Sequence, residues 1–556
     1  MLHRFVFCLA VLAAGAAQPG SAQVLLAGGS LPVCSSMSGH GCEPMAAWPQ
    51  QALERHLYRV TTARIDRWQA SLGDGAESPA AREWQTVLEQ LAEQQTAAGS
   101  RSRLSDPLRV AAAARYDTLD ERARWQMLDH FQEPVGARGE KVRLSDSSSQ
   151  ATIEIFERFV AMAGATSGRE RPRIGVSTAS SRDPYDSLDF YLQVIEQAGA
   201  EVYWLPLDRA FSAARAASRC EDLAGFQAEL LGAWDRDRVF PALFQQQLAL
   251  CDDSASTLAL AETLDGVFLN GGNQWLTLHA FIDDHGQPTR EWQRILARLE
   301  AGELVLGGTS AGAAVQSGPV MISNGSSRRA LLEGAHERPP PRPGCDRAQA
   351  CPSGLGVDSL TFHRGGLGSF ALGIVDTHFS ERWRQFRLLQ LMVDSDIALG
   401  LGVDETSAIE VSGLFDDQPV TLQAHGDSGG WLILTDRAIV HSRQPLQIDG
   451  VVLHYLGPGA RLELDDGGRS QASPEAMATP AQKPHTSGCA QFDNYGSFAE
   501  LPAFTTRAAA RESHCLVVPL DDTTVARSEL VPLAPKSATG PVSSWSWSLE
   551  VGPGRH

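Results

Sequence analysis

Residues 304–316 read as a buried apolar strand that breaks on Gly308-Thr309-Ser310-Ala311-Gly312 and resumes as a small-residue segment able to begin a helix. A strand passing so tightly into a helix belongs in an α/β sheet, where crossover helices cover the faces. The same context is that of a nucleophile elbow. Such a turn strains the serine backbone and exposes its hydroxyl, while glycines on either side let neighbouring backbone approach. Ser310 is therefore the candidate nucleophile.

The surrounding chain supports that class. Gln23-Val24-Leu25-Leu26-Ala27-Gly28-Gly29 reads as a strand running into a glycine turn. Helix 149–162, strand 173–177, helix 184–197 and strands 201–205 and 266–269 then alternate, which predicts an α/β fold with a mostly parallel sheet. Between about 43 and 145 the pattern changes to helix formers, with Trp48, Trp68, Trp84 and Trp125 at helical spacings. This is a helical insertion, and aromatic residues so spaced fill a core more often than they line a binding surface. Residues 210–256 form a second helical excursion, bracketed by Cys220 and Cys251.

Beyond 410 the chain shows short alternating runs at 420–424, 431–434 and 450–456, separated by Gly, Asp and Pro. The expected division is a leader at 1–22, a catalytic α/β unit at 23–410 and a β-rich C-terminal region at 411–556 packed against it. Segments 465–490 and 535–556, rich in Ser, Pro, Gly and Ala, read as loops or a mobile tail.

The leader opens with His3 and Arg4, continues through an apolar run and ends in Gly20-Ser21-Ala22, the pattern of a signal peptide. It predicts a secreted or periplasmic protein with no stable membrane insertion. Of the nine cysteines, all but Cys8 fall into the close couples 34/42, 220/251, 345/351 and 489/515, expected to form local disulfides. No CxxC or Cys/His cluster suggests zinc, and no metal or cofactor is expected. The formal net charge of -19 argues against a nucleic-acid partner. Oligomeric state is open, a homodimer being one option.

Four further segments carry chemistry. Asp376-Thr377-His378-Phe379 follows an apolar run, which puts His378 at a strand end as the candidate general base. Arg382, Arg384 and Arg387 follow, a cluster able to clamp carboxylates. Gly402-Val403-Asp404-Glu405-Thr406-Ser407-Ala408 ends another apolar stretch in two carboxylates; Glu405, with Asp404 beside it, is chosen to orient the histidine. Leu269-Asn270-Gly271-Gly272-Asn273-Gln274 offers backbone N–H groups and amides for an oxyanion hole.

These segments, in this order, resemble the cyanophycinase and aspartyl-dipeptidase (peptidase E) group of serine peptidases. Gly271 to Gln274 is similar to its GG(D/N)Q loop, Gly308 to Ala313 to its GTSAGA elbow, Asp376 to Arg387 to its D-x-HF-x2-R-x-R-x2-R segment and Gly402 to Ala408 to its G-(I/V)-DE-x-(T/S)-A segment. The resemblance covers about 24–35 and 149–412. It implies a glutamine-amidotransferase-like (flavodoxin-like) α/β sandwich. It also implies a triad of Ser310, His378 and Glu405, an oxyanion hole from Gly272 and the Ala311 N–H, and substrate binding by Gln274, Asp376, Arg382, Arg384 and Arg387. The implied substrate is a peptide or polymer such as cyanophycin, a polyaspartate with arginine on each side chain, cleaved to β-aspartyl-arginine without a cofactor. Thr377 departs from a common glutamine and Trp383 from a usual glycine, both on the substrate side.

Three other readings compete. Gly426-Asp427-Ser428-Gly429-Gly430 imitates the serine segment of chymotrypsin-like proteases, but its context reads as a turn between strands. An ordinary α/β-hydrolase would need a histidine after the acid, such as His425, His454 or His514. A catalytically silent peptide-binding relative would keep the pocket without the reaction.

Overall fold

Five strands, β1 (Ala22–Ala27), β2 (Arg173–Ser177), β3 (Glu201–Trp204), β4 (Gly266–Leu269) and β5 (Val305–Thr309), pair in parallel in the order β1-β5-β4-β2-β3. The computed structural model describes residues 21–43, 47–95, 97–111, 119, 121–347, 349–415, 419–464, 490–491, 514–521, 523–533, 538–539 and 542–553. The expected leader apart from its last two residues, Cys489 and all of segment 465–490 except Ala490 lie outside them, so the 489/515 couple does too; segment 535–556, expected to be loop or mobile tail, instead carries the strand Val542–Pro553, held by antiparallel pairing on both sides.

Apart from the edge strand β3, these strands are nearly continuous apolar runs because both faces are covered. Val24 and Leu26 of β1 join one core cluster, whereas Leu25 and Ala27 join the other. The second cluster is closed by the helix Gln150–Ser167, which starts where Ser149 accepts a hydrogen bond from the Thr152 N–H and ends at left-handed Gly168. Its Ile155, Phe156 and Phe159 are fully buried on Phe268 and Val305. Each such side chain contributes about 1.5–3 kcal/mol. The helix expected from 184 begins instead at Leu188, because Asp183 and Tyr185 hold residues 183–186 in a turn.

A small sheet of β6 (Val320–Asn324), β7 (His336–Glu337) and β8 (Thr361–Arg364) follows β5. Next come β9 (Ile374–Thr377), β10 (Leu399–Val403), β11 (Ser407–Leu414), β12 (Val420–Gly426), β13 (Gly430–Leu434), β14 (Ile439–Arg443), β15 (Leu446–Leu456) and β16 (Arg461–Leu464). β11 runs through residue 410 without a break and pairs antiparallel with β1; β12 and β16 extend the first sheet beyond it. The first sheet is thus parallel over one half only. The short β11–β12 connection permits a hairpin but no crossover.

β9 and β10 pair in parallel and start a second sheet, continued by β13, β15 and the strands Val542–Pro553 and Thr524–Leu533. The C-terminal strands therefore add to both sheets. The helical insertion keeps its own core, in which Trp68 and Trp84 pack with Leu88, Leu108 and Phe131. Disulfides close Cys34–Cys42, Cys220–Cys251 and Cys345–Cys351. Among the described residues no helix is long and apolar enough to cross a membrane.

Candidate active site

The C-terminal ends of β1, β5, β9 and β10 converge at one point. Ser310, directly after β5, has φ 53° and donates its N–H to the Ala27 carbonyl at 2.9 Å. Its turn demands glycine nearby: a Cβ on Gly308 would lie 2.2 Å from the Gly312 carbonyl oxygen, and one on Gly312 2.2 Å from that of Leu269. His378, directly after β9, is also left-handed (φ 47°) and donates its N–H to the Gly28 carbonyl at 2.9 Å. Two elements distant in sequence are thereby pinned to the turn that follows β1.

The side chains complete a relay. Ser310 Oγ lies 2.7 Å from His378 Nε2, and His378 Nδ1 lies 2.5 Å from Glu405 Oε1. With a carboxylate on Nδ1, the neutral ring carries its proton there and leaves Nε2 to accept from the serine hydroxyl. Burial pushes the His378 pKa below the ordinary histidine value, and Arg382 and Arg384 add to this; Glu405 opposes it. Burial would raise the Glu405 carboxyl, but hydrogen bonds from His378 and Ser30, with the charges of His378 and Arg382, hold it below its usual range.

Asp404 turns the other way. It is fully buried, accepts from the Ser380 N–H at 2.9 Å and from Trp431 Nε1 at 3.3 Å, and burial beside Glu381 pushes it up to about 7. Of the two adjacent carboxylates, only Glu405 reaches the imidazole.

Opposite the serine, a Cβ on Gly271 would lie 3.4 Å from Ser310 Cβ, so the Gly271-Gly272 turn borders the hydroxyl. Gly271 donates its N–H to the Tyr191 hydroxyl at 3.3 Å. Among the described residues the N–H groups of Gly272 and Ala311 have no protein acceptor. Gly272 follows Gly271 and Ala311 follows Ser310, so both unclaimed donors neighbour groups at the hydroxyl.

The arginines divide into two sorts. Arg387 grips Asp376 bidentately, Nε to Oδ2 at 2.8 Å and Nη2 to Oδ1 at 2.6 Å, and both are buried. Arg384 reaches Asp376 Oδ1 at 3.3 Å and the Thr377 carbonyl at 2.6 Å. Arg382 is exposed and makes no ion pair among the described residues. Gln274 opens the helix Gln274–Phe281 and donates to the Ile322 carbonyl at 2.8 Å.

The chain is 28% identical to the cyanophycinase of Geminocystis herdmanii over 321 residues, 55% of this chain and 87% of that protein. It is 27% identical over 318 residues to that of Trichormus variabilis, covering 56% and 80%. Over about half its length the chain is similar to proteins named cyanophycinase. A shorter match, 30% over 208 residues, links it to the cyanophycinase of Synechococcus elongatus, over 36% of this chain and 53% of that one. No family model matches the chain. Among solved structures, a peptidase from an acI-B1 Actinobacterium aligns with TM-score 0.32 and 16% identity, over 57% of this chain and 92% of that one.

Among the described residues Ser428, His425 and His454 are each engaged elsewhere. Ser428 and Gly429 donate their N–H groups to Ser407 Oγ at 2.9 and 2.8 Å, and Asp404 donates to the Gly429 carbonyl. The Gly426 to Gly430 turn thus braces the strand end that carries Glu405. His425 pairs with Glu410 at 2.9 Å, and His454 is buried on Ser544 Oγ at 2.7 Å, each away from Ser310. The side chain of His514 is outside the described residues.

Sequence reasoning missed the hub that joins the relay. Gly28-Gly29-Ser30 accepts the His378 N–H on Gly28, accepts the Thr406 N–H on Gly29 at 3.0 Å and bonds Glu405 through Ser30. The glycine pair after β1 was its only signal, and that pair is common in turns. Positive φ at Ser30, Ser310, His378 and Thr406 puts non-glycine strain in one place, the usual mark of a working site. Trp383 is left-handed too, at the position where the resembled family usually has glycine, and its indole is buried against Phe386.

Proposed function

We propose that this chain is an exported serine-type exopeptidase of cyanophycinase kind, releasing β-aspartyl-arginine from cyanophycin. The observation that carries this reading is the Ser310–His378–Glu405 chain at 2.7 and 2.5 Å beside two unclaimed N–H donors. Similarity to proteins named cyanophycinase supports the substrate. Three disulfides fit an oxidising compartment, in keeping with the leader read from the sequence.

In the mechanism, Ser310 Oγ attacks the scissile carbonyl carbon while His378 Nε2 takes the hydroxyl proton. Glu405 stabilises the resulting imidazolium and keeps the ring in place. The oxyanion is met by the Gly272 and Ala311 N–H groups. His378 then passes its proton to the leaving amine, the C–N bond breaks, and water, deprotonated by the same imidazole, releases the acyl group and regenerates Ser310. Arg382, exposed beside the relay, supplies a cation for a substrate carboxylate, whereas Asp376 holds Arg384 and Arg387 in position. No metal or cofactor takes part in these steps.

The test is release of β-aspartyl-arginine from purified cyanophycin by the parent and by Ser310→Ala. Release by the parent alone is expected. Equal release by both would overturn the nucleophile assignment, and no release by either, with turnover of another β-aspartyl or acidic peptide, would replace the substrate. Peptide binding without turnover of any substrate would identify a silent relative.

A further inference from the structure

Gly271 and Gly272 have no side chains to hold them, and Gly272 has φ 147°, so the loop that carries one unclaimed donor depends on restraint from its neighbours. That restraint comes from the segment 178–187, which follows β2. The Ser180 carbonyl accepts the Asn273 N–H at 2.8 Å, and a Cβ on Gly272 would lie 2.3 Å from its oxygen. Asn270 closes the contact in the other direction: its Oδ1 accepts the Ser180 N–H at 3.0 Å and its Nδ2 donates to Ser181 Oγ at 2.8 Å. Ser180 Oγ also meets Thr277 Oγ1 at 2.5 Å, within the helix Gln274–Phe281. Asn270, Ser180 and Thr277 are buried, where a polar group that loses its partner pays the full cost of desolvation.

The same segment is fastened on its other side to the helical insertion. Arg182 grips Asp129 of the helix Glu121–Phe131 bidentately, Nη1 to Oδ2 at 2.7 Å and Nη2 to Oδ1 at 3.0 Å. Its guanidinium lies 4.2 Å from the ring centre of Trp125 on that helix. Asp183, next in the chain, pairs with Arg236, which reaches Asp129 at 3.4 Å and Gln132 at 3.2 Å. Asp129 and Arg236 are buried, so two charges from the segment, one from the insertion and one from the second helical excursion form a network that cannot give way singly. The insertion thus holds the segment that holds Gly272.

We propose that segment 178–187 is a positioning element for the oxyanion hole, with Asn270 fastening it to the Gly271-Gly272 loop and Arg182 fastening it to the helical insertion. The inference rests on reading Ser310 as a peptidase nucleophile and the Gly272 N–H as an oxyanion donor. Such a donor must already stand where negative charge develops. A shift of about 1 Å withdraws it from the transition state while leaving the ground-state contacts of the substrate in place. The insertion accordingly acts on rate, through a chain of bonds that touches no group of the Ser310–His378–Glu405 relay.

Steady-state kinetics and hydrogen–deuterium exchange on the full chain test it. Asn270→Ala should lower kcat about 100-fold with KM within about twofold. The acid limb of its kcat/KM should stay at the parental pH, because Asn270 bonds no relay group. Exchange of the Gly271 to Asn273 amides should quicken about tenfold, with parental rates around Ser310. Arg182→Lys, which keeps a cation beside Asp129 but loses the bidentate grip, should lower kcat about fivefold to tenfold, again without a change in KM. Parental kcat in a folded Asn270→Ala, a loss confined to KM, or a shifted acid limb would overturn the positioning role. Parental kcat and parental exchange in Arg182→Lys would overturn the part given to the insertion, and this variant decides the matter if Asn270→Ala does not fold. A parent that turns over no peptide would defeat the peptidase reading itself, a failure visible before any variant is compared.

Discussion

Gly29 faces His378 so closely that a Cβ on it would lie 2.4 Å from Cε1 and 2.6 Å from Nε2 of the imidazole. The turn after β1 therefore shapes the space in which the ring meets Ser310, although it contributes no reacting atom.

Gly29→Ala is expected to push the ring off Ser310, since residue 29 also has φ 105° and cannot swing its new methyl away without strain. A displacement of this size costs about 100-fold in kcat. Steady-state kinetics with circular dichroism as a folding control checks it; parental kcat would show that the ring is positioned from elsewhere.

His378 acts as a base only when unprotonated, and its pKa is lowered by burial and by Arg382 and Arg384. kcat/KM should thus rise through an acid limb below the ordinary histidine range and be level at neutral pH. Glu405 opposes that lowering, so Glu405→Gln should move the limb to lower pH and cut kcat by about 10³–10⁴-fold. Arg382→Ala should move it to higher pH and raise KM. A pH profile of each variant decides the signs.

Asp376→Asn leaves Arg387 and Arg384 without their counter-charge in a buried place. The expected loss of stability is about 3–5 kcal/mol, measured by urea unfolding. Arg382→Ala, which breaks no ion pair, should unfold at the same urea concentration as the parent.

Ser428→Ala should retain kcat within about twofold, since the contacts of this turn run through backbone groups. A loss comparable with that of Ser310→Ala would revive the chymotrypsin-like reading.

Replacing Cys220 and Cys251 together by serine opens a bridge spanning 31 residues. A stability loss of about 2–4 kcal/mol is expected under oxidising conditions. Under reducing conditions the difference should vanish.

Much of the sheet was legible because parallel strands buried on both faces leave apolar runs that no surface element needs: 173–177 and 266–269 are strands as read. The antiparallel extension by β11, β12 and β16 was not, because short alternating runs show strand type without partner. Trp383 gave no local sign of its left-handed backbone. Its burial on Phe386 helps offset a strain that glycine would avoid.

The linear order of residues was enough to name Ser310, His378 and the Asp404-Glu405 pair, because each follows an apolar run that ends at the same edge of an α/β sheet. Which carboxylate serves the imidazole was decided by tertiary structure. Adjacent residues at a strand end project to opposite sides, and only the packing of Ser380 and Trp431 against one, and of His378 and Ser30 against the other, sends Asp404 into the core and Glu405 to the ring.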